Sequence, residues 1–458
     1  VQRPHFDRLA AEGISFDRAC SAAPLCGPAR RSLLTGLFPH THGELHNDTN
    51  HPFDREVYLD TLADAGYRNL TFGKWHAGPG TALDHQCEGF SYPTYSNPYT
   101  KPEYRQYLAD RGLPEPEVLV EQTYSSWREV PVGPGYRQIC DWCNEHASGI
   151  LTTPTDTHEA FFLANLACDA LRELAASGND RPFALRVDFW GPHQPYFPTR
   201  EFADLYDPET IPEYGSFRDD LTGKPDLYHV EHNLGLGVGG RIHIPSALPW
   251  SEWRKTLARA YAQTTLVDAA GGRILDTLDA LGLAGDTLVI WTTDHGDALA
   301  CHGGHFDKAS YLPEEMMRVP MAIRFPGRIP AGQRSDALVS LVDVAPTILD
   351  AAGLAFHDPV HGTSLLPLAA GEVDGWREDL MCDSHGHFDH QVARVLYAGR
   401  HKYVANQGHL HELYDLEADP YELENLIDDP EHQGVLDDMR ARLQAWQERT
   451  QDPETVLD

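Results

Sequence analysis

Lysine is nearly missing from this sequence: Lys74, Lys101, Lys224, Lys255, Lys308 and Lys402 are the only six in 458 residues. Lys and Arg together number 36 against 69 Asp and Glu, for a formal net charge of −33. So little positive charge excludes nucleic acid as a partner, because phosphate contacts need Lys and Arg. It also speaks against an anionic membrane surface. Long hydrophobic runs are missing too. No apolar stretch approaches the roughly 20 residues that span a bilayer. Cysteine is sparse, with eight residues (Cys20, Cys26, Cys87, Cys140, Cys143, Cys168, Cys301 and Cys382). A chain of this length does not need disulfides to hold its core. Cys140 and Cys143 form a C-x-x-C without a second ligand pair, so they read as two thiols or a local disulfide in a loop.

What is present is an ordinary globular composition, 41% hydrophobic and 10% aromatic. The length exceeds one small core and predicts a larger domain of residues 1–370 followed by a smaller one of 371–458. An acidic protein that binds an anion needs a locally positive pocket, so the position of each lysine becomes informative.

Four apolar or β-branched runs bounded by turn residues read as strands: 68–72 (RNLTF), 183–190 (FALRVDFW), 287–293 (TLVIWTT) and 319–325 (VPMAIRF). Helices are predicted over 56–65, over 159–176 behind an Asp156-x-x-Glu159 capping box, and over 253–281. Strands alternating with helices predict an α/β fold, a mostly parallel central sheet covered on both faces. The Pro-, Tyr- and Gly-rich stretches 91–155 and 195–249 read as long loops over that sheet. Beyond residue 375 the pattern changes to short strands at 392–397, 402–404 and 410–416 and a helix at 433–448, a small α+β unit.

Three of the predicted strands deliver polar residues past their carboxyl ends. The first leads to Lys74 and His76, the second to His193, the third to Asp294, His295 and then Lys308. Ligand sites in open α/β sheets lie at that end. Cations, proton carriers and an Asp-His pair suit anion binding, acid–base work and metal ligation. Taken singly, each is more often a solvated or structural group. Their common placement is what distinguishes them. Cys26-Gly-Pro-Ala-Arg30 adds a cysteine at a helix entry, with Pro28 in the first turn, where the helix dipole favours an anion. Cys301, His302 and His305 lie near Lys308 and read as residues lining its loop.

Cys26-Gly-Pro-Ala-Arg30 with Leu34-Thr35-Gly36 resembles the signature of type I sulfatases, within the alkaline phosphatase superfamily. The likeness continues through Pro39-His40-Thr41-His42-Gly43, Gly73-Lys74-Trp75-His76-Ala77-Gly78, Gly191-Pro192-His193-Gln194-Pro195, Thr293-Asp294-His295-Gly296-Asp297, Lys308, and Glu412-Leu413-Tyr414-Asp415-Leu416 with Asp419-Pro420. It therefore covers nearly the whole chain. The resemblance implies an alkaline-phosphatase-like fold and hydrolysis of a sulfate ester on a small molecule or saccharide. It implies a nucleophile made from Cys26 by a separate formylglycine-generating enzyme. One hydroxyl of the hydrated aldehyde attacks sulfur and the other later expels sulfate. It further implies that Arg30 holds the formylglycine oxygens, that Lys74 and Lys308 bind sulfate, that His76 acts as base, and that His193 with Lys308 acts as acid. Asp294, His295 and residue 26 would ligate Ca2+, with Mg2+ as the alternative.

The sequence departs from the family at one point. Type I sulfatases open with a buried strand ending in two adjacent Asp ligands, and no Asp-Asp precedes Cys26 here. Either the sequence is a fragment of a longer chain that carries this strand or, if it is the whole molecule, the expectation is a sheet with unpaired backbone at that position, a weak metal site and poor activity. Two rival readings stay open: a phosphonate monoester or phosphodiester hydrolase of the same superfamily, and a non-catalytic binding protein that keeps the fold.

Overall fold

The computed structural model describes residues 1–457 except 94–95, 124–132, 143–145, 179–180, 233–235, 239–240, 244–247, 309 and 388–390. The side chains of 230–232, 236–238 and 241–243 are likewise outside the description. Cys143 is among the excluded residues, so the pairing of Cys140 with it lies outside the described residues. Among the described residues, no helix is long and apolar enough to cross a membrane.

The strands that carry the candidate site residues belong to two sheets. One is wholly parallel, in the order Cys87–Tyr92, Arg68–Lys74, Phe183–Asp188. The other runs Val289–Thr292, Met321–Arg324, Ile14–Cys20, Gln333–Ser340. Within it Ile14–Cys20 and Gln333–Ser340 are parallel, whereas Met321–Arg324 is antiparallel to both of its neighbours. Phe183–Asp188 and Val289–Thr292 are the edges of their sheets, and their residues are only half-buried. Their carboxyl ends are joined by one side chain: Arg30 bonds Asp188 at 3.0 Å and Asp294 at 2.8 Å.

Helices Glu159–Ala176 and Trp250–Ala280 pack together beside the parallel sheet. The 18-residue helix begins differently from expectation. Its cap is His158, whose Nδ1 accepts the Ala160 N–H at 3.1 Å. Asp156 instead bonds Asn165 and Arg273, so the expected capping box does not form. The 91–155 stretch is also more ordered than a loop. It contains helix Pro102–Arg111 and an antiparallel sheet of Gly135–Gln138, Glu117–Thr123 and Ala147–Leu151. Tyr99, Tyr104 and Tyr107 pack under it with Phe162, so the aromatic residues that marked the stretch as irregular make a satellite core. Within 195–249 helix Asp226–His232 is present, and part of the stretch lies outside the described residues.

The C-terminal unit is a four-stranded antiparallel sheet, Asp379–Ser384, Ala393–Ala398, His401–Asn406 and Glu412–Asp415, with helix Gln433–Thr450 against it. Its first strand escaped the sequence reading. This sheet shares one hydrophobic core with Ile14–Cys20: Phe16, Ala19, Val339 and Leu341 lie in the same cluster as Leu380, Val395 and Leu413. A buried polar network reinforces the junction. His40 Nδ1 is 2.7 Å from Asp383, Arg394 is 3.3 Å from Asp383, and Arg394 is 2.7 Å from Asp452. Charges this deep are tolerated because each is paired.

Candidate active site

Cys26 is the first residue of helix Cys26–Thr35, entered from Leu25 in an extended conformation. Gly36 closes the helix in the left-handed region at φ 69°, its N–H bonded to Ser32. Every residue of the helix is buried, so the cysteine sits at the positive end of the dipole with little water nearby. The Gly27 N–H is held by Asn47 Oδ1 at 2.9 Å.

Around the Cys26 sulfur the structure gathers the residues singled out in the sequence. His295 Nε2 lies 3.1 Å from it. His295 Nδ1 is 2.6 Å from the Gly296 carbonyl, which can only accept, so Nδ1 carries a proton and Nε2 is the nitrogen that faces the sulfur. Burial lowers His76 from its ordinary value, and its interaction with the Cys26 side chain partly offsets that. Its Nε2 donates to the Asn47 carbonyl at 3.2 Å, leaving Nδ1 as the basic nitrogen. Burial alone would raise the Cys26 thiol. The charges of Lys74 and Lys308 and the contact with His295 outweigh it and hold the thiol well below its ordinary value. The position is therefore built for negative charge.

Lys308 Nζ bonds Asp307 at 2.8 Å and His193 Nε2 at 3.1 Å. His193 Nδ1 donates to the Gln194 carbonyl at 2.8 Å, so its Nε2 is the acceptor facing the ammonium. Burial and the neighbouring Lys308 push His193 down to about 3. Within this pair the proton resides on lysine at neutral pH. Lys74 is lowered by burial, with Arg30 and Lys308 adding to the effect, and its ammonium lies 5.3 Å above the Trp190 ring. Asp294 is held far below the usual carboxylate range. Burial opposes that shift, and His295, Arg30, Lys74 and Lys308 overcome it.

Two glycines let these segments approach. A Cβ at Gly296 would stand 1.8 Å from the Glu315 carbonyl oxygen. At Gly73, where φ is +122°, it would stand 2.0 Å from the Asp188 carbonyl oxygen. Each glycine adjoins a site residue, His295 in one case and Lys74 in the other.

The structure adds residues that the sequence did not single out. Asp188, at the carboxyl end of its strand, binds Arg30 and also takes a two-point contact from Arg186. Asp307 sits beside Lys308 in the left-handed region at φ 63°. His387 arrives from the C-terminal unit, its Nδ1 donating to the Lys308 carbonyl at 2.8 Å. Asp307 was legible as a carboxylate next to Lys308, Asp188 stood inside an apolar run, and His387 carried no signal. Cys301, His302 and His305 do not line an open loop. All three are buried.

One carboxylate, one imidazole and residue 26 converge as a candidate cation site. The ligand atoms of Cys26, Asp294 and His295 all lie within 4.8 Å of one another. They match a divalent cation in kind. Ca2+ takes six to eight oxygens, so water and substrate oxygens would complete the set.

Comparison with known proteins agrees with this geometry. A family model described as Sulfatase matches residues 2–354, and one described as N-sulphoglucosamine sulphohydrolase, C-terminal, matches residues 301–449. An arylsulfatase of Clostridium perfringens is 28% identical over 453 residues, covering 97% of this chain and 89% of the relative. An N-acetylglucosamine-6-O-sulfatase of Bacteroides thetaiotaomicron is 26% identical over 520 residues, covering 100% and 85%. Among solved structures, a phosphonate monoester hydrolase of Agrobacterium radiobacter superposes with a TM-score of 0.79 at 23% identity, over 98% of this chain and 91% of that one. This last likeness establishes a shared alkaline-phosphatase-like fold.

Proposed function

The chain belongs to the sulfatase family, whose members are sulfuric ester hydrolases, and from that premise we propose that it hydrolyses a carbohydrate sulfate ester at residue 26, matured to formylglycine by a separate enzyme. The observation that supports this reading best is the convergence of His295, His76, Lys74 and Lys308 on one buried helix-terminal cysteine held ready for negative charge. The Cys26 sulfur stands where an oxygen of the hydrated aldehyde would be. That hydrate supplies a nucleophilic hydroxyl and a second one able to expel sulfate. A bound divalent cation, Ca2+ or Mg2+, would offset charge on the sulfate and on the attacking oxygen. Asp294 and His295 would hold it.

The remaining work falls to the chain. Arg30 braces Asp188 and Asp294, and so fixes the carboxyl ends of both edge strands beside residue 26. Lys74 and Lys308 bind the sulfate oxygens and stabilise charge as the sulfur–oxygen bond breaks. His76 Nδ1 takes the proton of the second hydroxyl. The Lys308–His193 pair delivers a proton to the leaving alcohol. Lys308 is the charged member, and His193 fixes its direction. The saccharide preference rests on the N-acetylglucosamine-6-O-sulfatase relative and on the sulphohydrolase match of residues 301–449.

The test is turnover of N-acetylglucosamine 6-sulfate, an aryl sulfate and a phenyl phosphonate by protein from a host with the maturation enzyme. Preference for either sulfate by kcat/KM supports a sulfatase, and the sugar sulfate leading supports the carbohydrate reading. Preference for the phosphonate overturns the proposal in favour of a phosphonate hydrolase.

A further inference from the structure

Behind the loop that carries Lys308 lies a second group of ligating side chains. Cys301, His302 and Glu315 place a sulfur, an imidazole nitrogen and a carboxylate oxygen all within 4.8 Å of one another. Cys301 and His302 are fully buried, and the Glu315 side chain is one-third exposed. His302 Nδ1 lies 2.8 Å from Asp219 Oδ2. Its Nε2 is buried without a hydrogen-bond partner and faces Glu315 Oε2 at 3.5 Å. The other Glu315 oxygen, Oε1, accepts from Ser216 Oγ at 3.4 Å. A carboxylate on one imidazole nitrogen, orienting the other toward a thiol and a second carboxylate, is the outer-shell arrangement that fixes a metal-binding histidine. Lys224 Nζ stands 3.7 Å from Asp219 Oδ2.

We propose that Cys301, His302 and Glu315 form a structural site for a borderline-soft divalent cation such as Zn2+, with Asp219 orienting His302. Thiolate, imidazole and carboxylate are the donors Zn2+ takes in four-coordinate sites, and water would be the fourth ligand. Zn2+ binding breaks the Cys301 S–H bond and forms a metal–sulfur bond. The thiol proton and any proton on His302 Nε2 pass to solvent. The cation would brace the active site from outside. The Glu315 carbonyl accepts the Asp297 N–H at 3.1 Å, two residues after His295. The Cys301 carbonyl accepts the N–H groups of Gly304 and His305, just ahead of Lys308. One ion would tie these two segments together.

The probe is Co2+, whose thiolate complex absorbs in the near ultraviolet, titrated into chelator-treated full chain carrying Cys26→Ala. That background removes the thiol of the catalytic cation site. The expected result is a thiolate-to-cobalt band saturating at one equivalent, abolished by Cys301→Ala and displaced by Zn2+. Glu315→Gln, at a partly exposed position, should weaken Co2+ at least tenfold while leaving the fold intact by circular dichroism. It serves as the second measurement where Cys301→Ala does not fold. Absence of a thiolate band at saturating Co2+, or a band and affinity unchanged by Cys301→Ala or by Glu315→Gln, overturns the site. In that case His302 is a charged link between Asp219 and Glu315.

Discussion

Glu159 opens helix Glu159–Ala176 with its carboxylate folded inward, accepting the Gly191 N–H at 2.9 Å and the Trp190 N–H at 3.4 Å. It thereby anchors the segment that presents His193. Burial raises its carboxyl from 4.5 to about 7, and the two amide bonds only partly offset that. Between these values the folded state binds a proton that the unfolded chain has lost. The group's contribution is therefore fully present below about pH 4.5 and is lost as pH rises through about 7. At 1.36 kcal/mol per pKa unit, the whole loss is about 3 kcal/mol. Glu159→Gln keeps an acceptor for Gly191 and removes the titration. Urea unfolding of both proteins from pH 4.5 to 8 cancels all other titrating groups in the difference. Relative to the variant, the parent should lose about 3 kcal/mol across that range. A difference that stays flat, or that grows in the parent's favour with pH, would refute the burial argument.

Other consequences can be checked directly. Lys74→Met should lower kcat/KM on the preferred sulfate ester about 10²- to 10³-fold, the usual cost of one donor that stabilises transferring charge; a change under threefold contradicts its role. Arg394→Met leaves Asp383 buried without its main counter-charge, and should cost about 3–5 kcal/mol in urea unfolding. Gly296→Ala drives a methyl group against the Glu315 carbonyl and should destabilise by about 3 kcal/mol, the upper end of overpacking. A wild-type unfolding midpoint for that variant would contradict the close approach.

Much of this arrangement was legible in the sequence because it depends on position. Lys74, Asp294 and His295 follow β-branched runs closely, and a residue at a strand's carboxyl end has few places to point. Cys26 could be placed at a helix entry from Gly27-Pro28 alone. Strand direction was not legible: 321–324 has the same periodicity whether parallel or, as found, antiparallel to its neighbours. Asp188 was passed over because it stood inside an apolar run, three residues before Gly191. The 91–155 stretch reads as loop because its prolines and glycines mark turns, while here Tyr104 and Tyr107 bury their rings and spend their hydroxyls on backbone carbonyls. His387 reaches Lys308 through the packing of the C-terminal sheet on the core, a tertiary fact with no local trace.

The measurement closest to the central claim is the mass of tryptic peptide 19–30, taken from chain expressed with the maturation enzyme. The expected mass has an aldehyde in place of the Cys26 thiol, and Cys26→Ala loses both that aldehyde and sulfate ester turnover. An unmodified thiol in protein that still turns over sulfate, or in protein that turns over nothing, would contradict it.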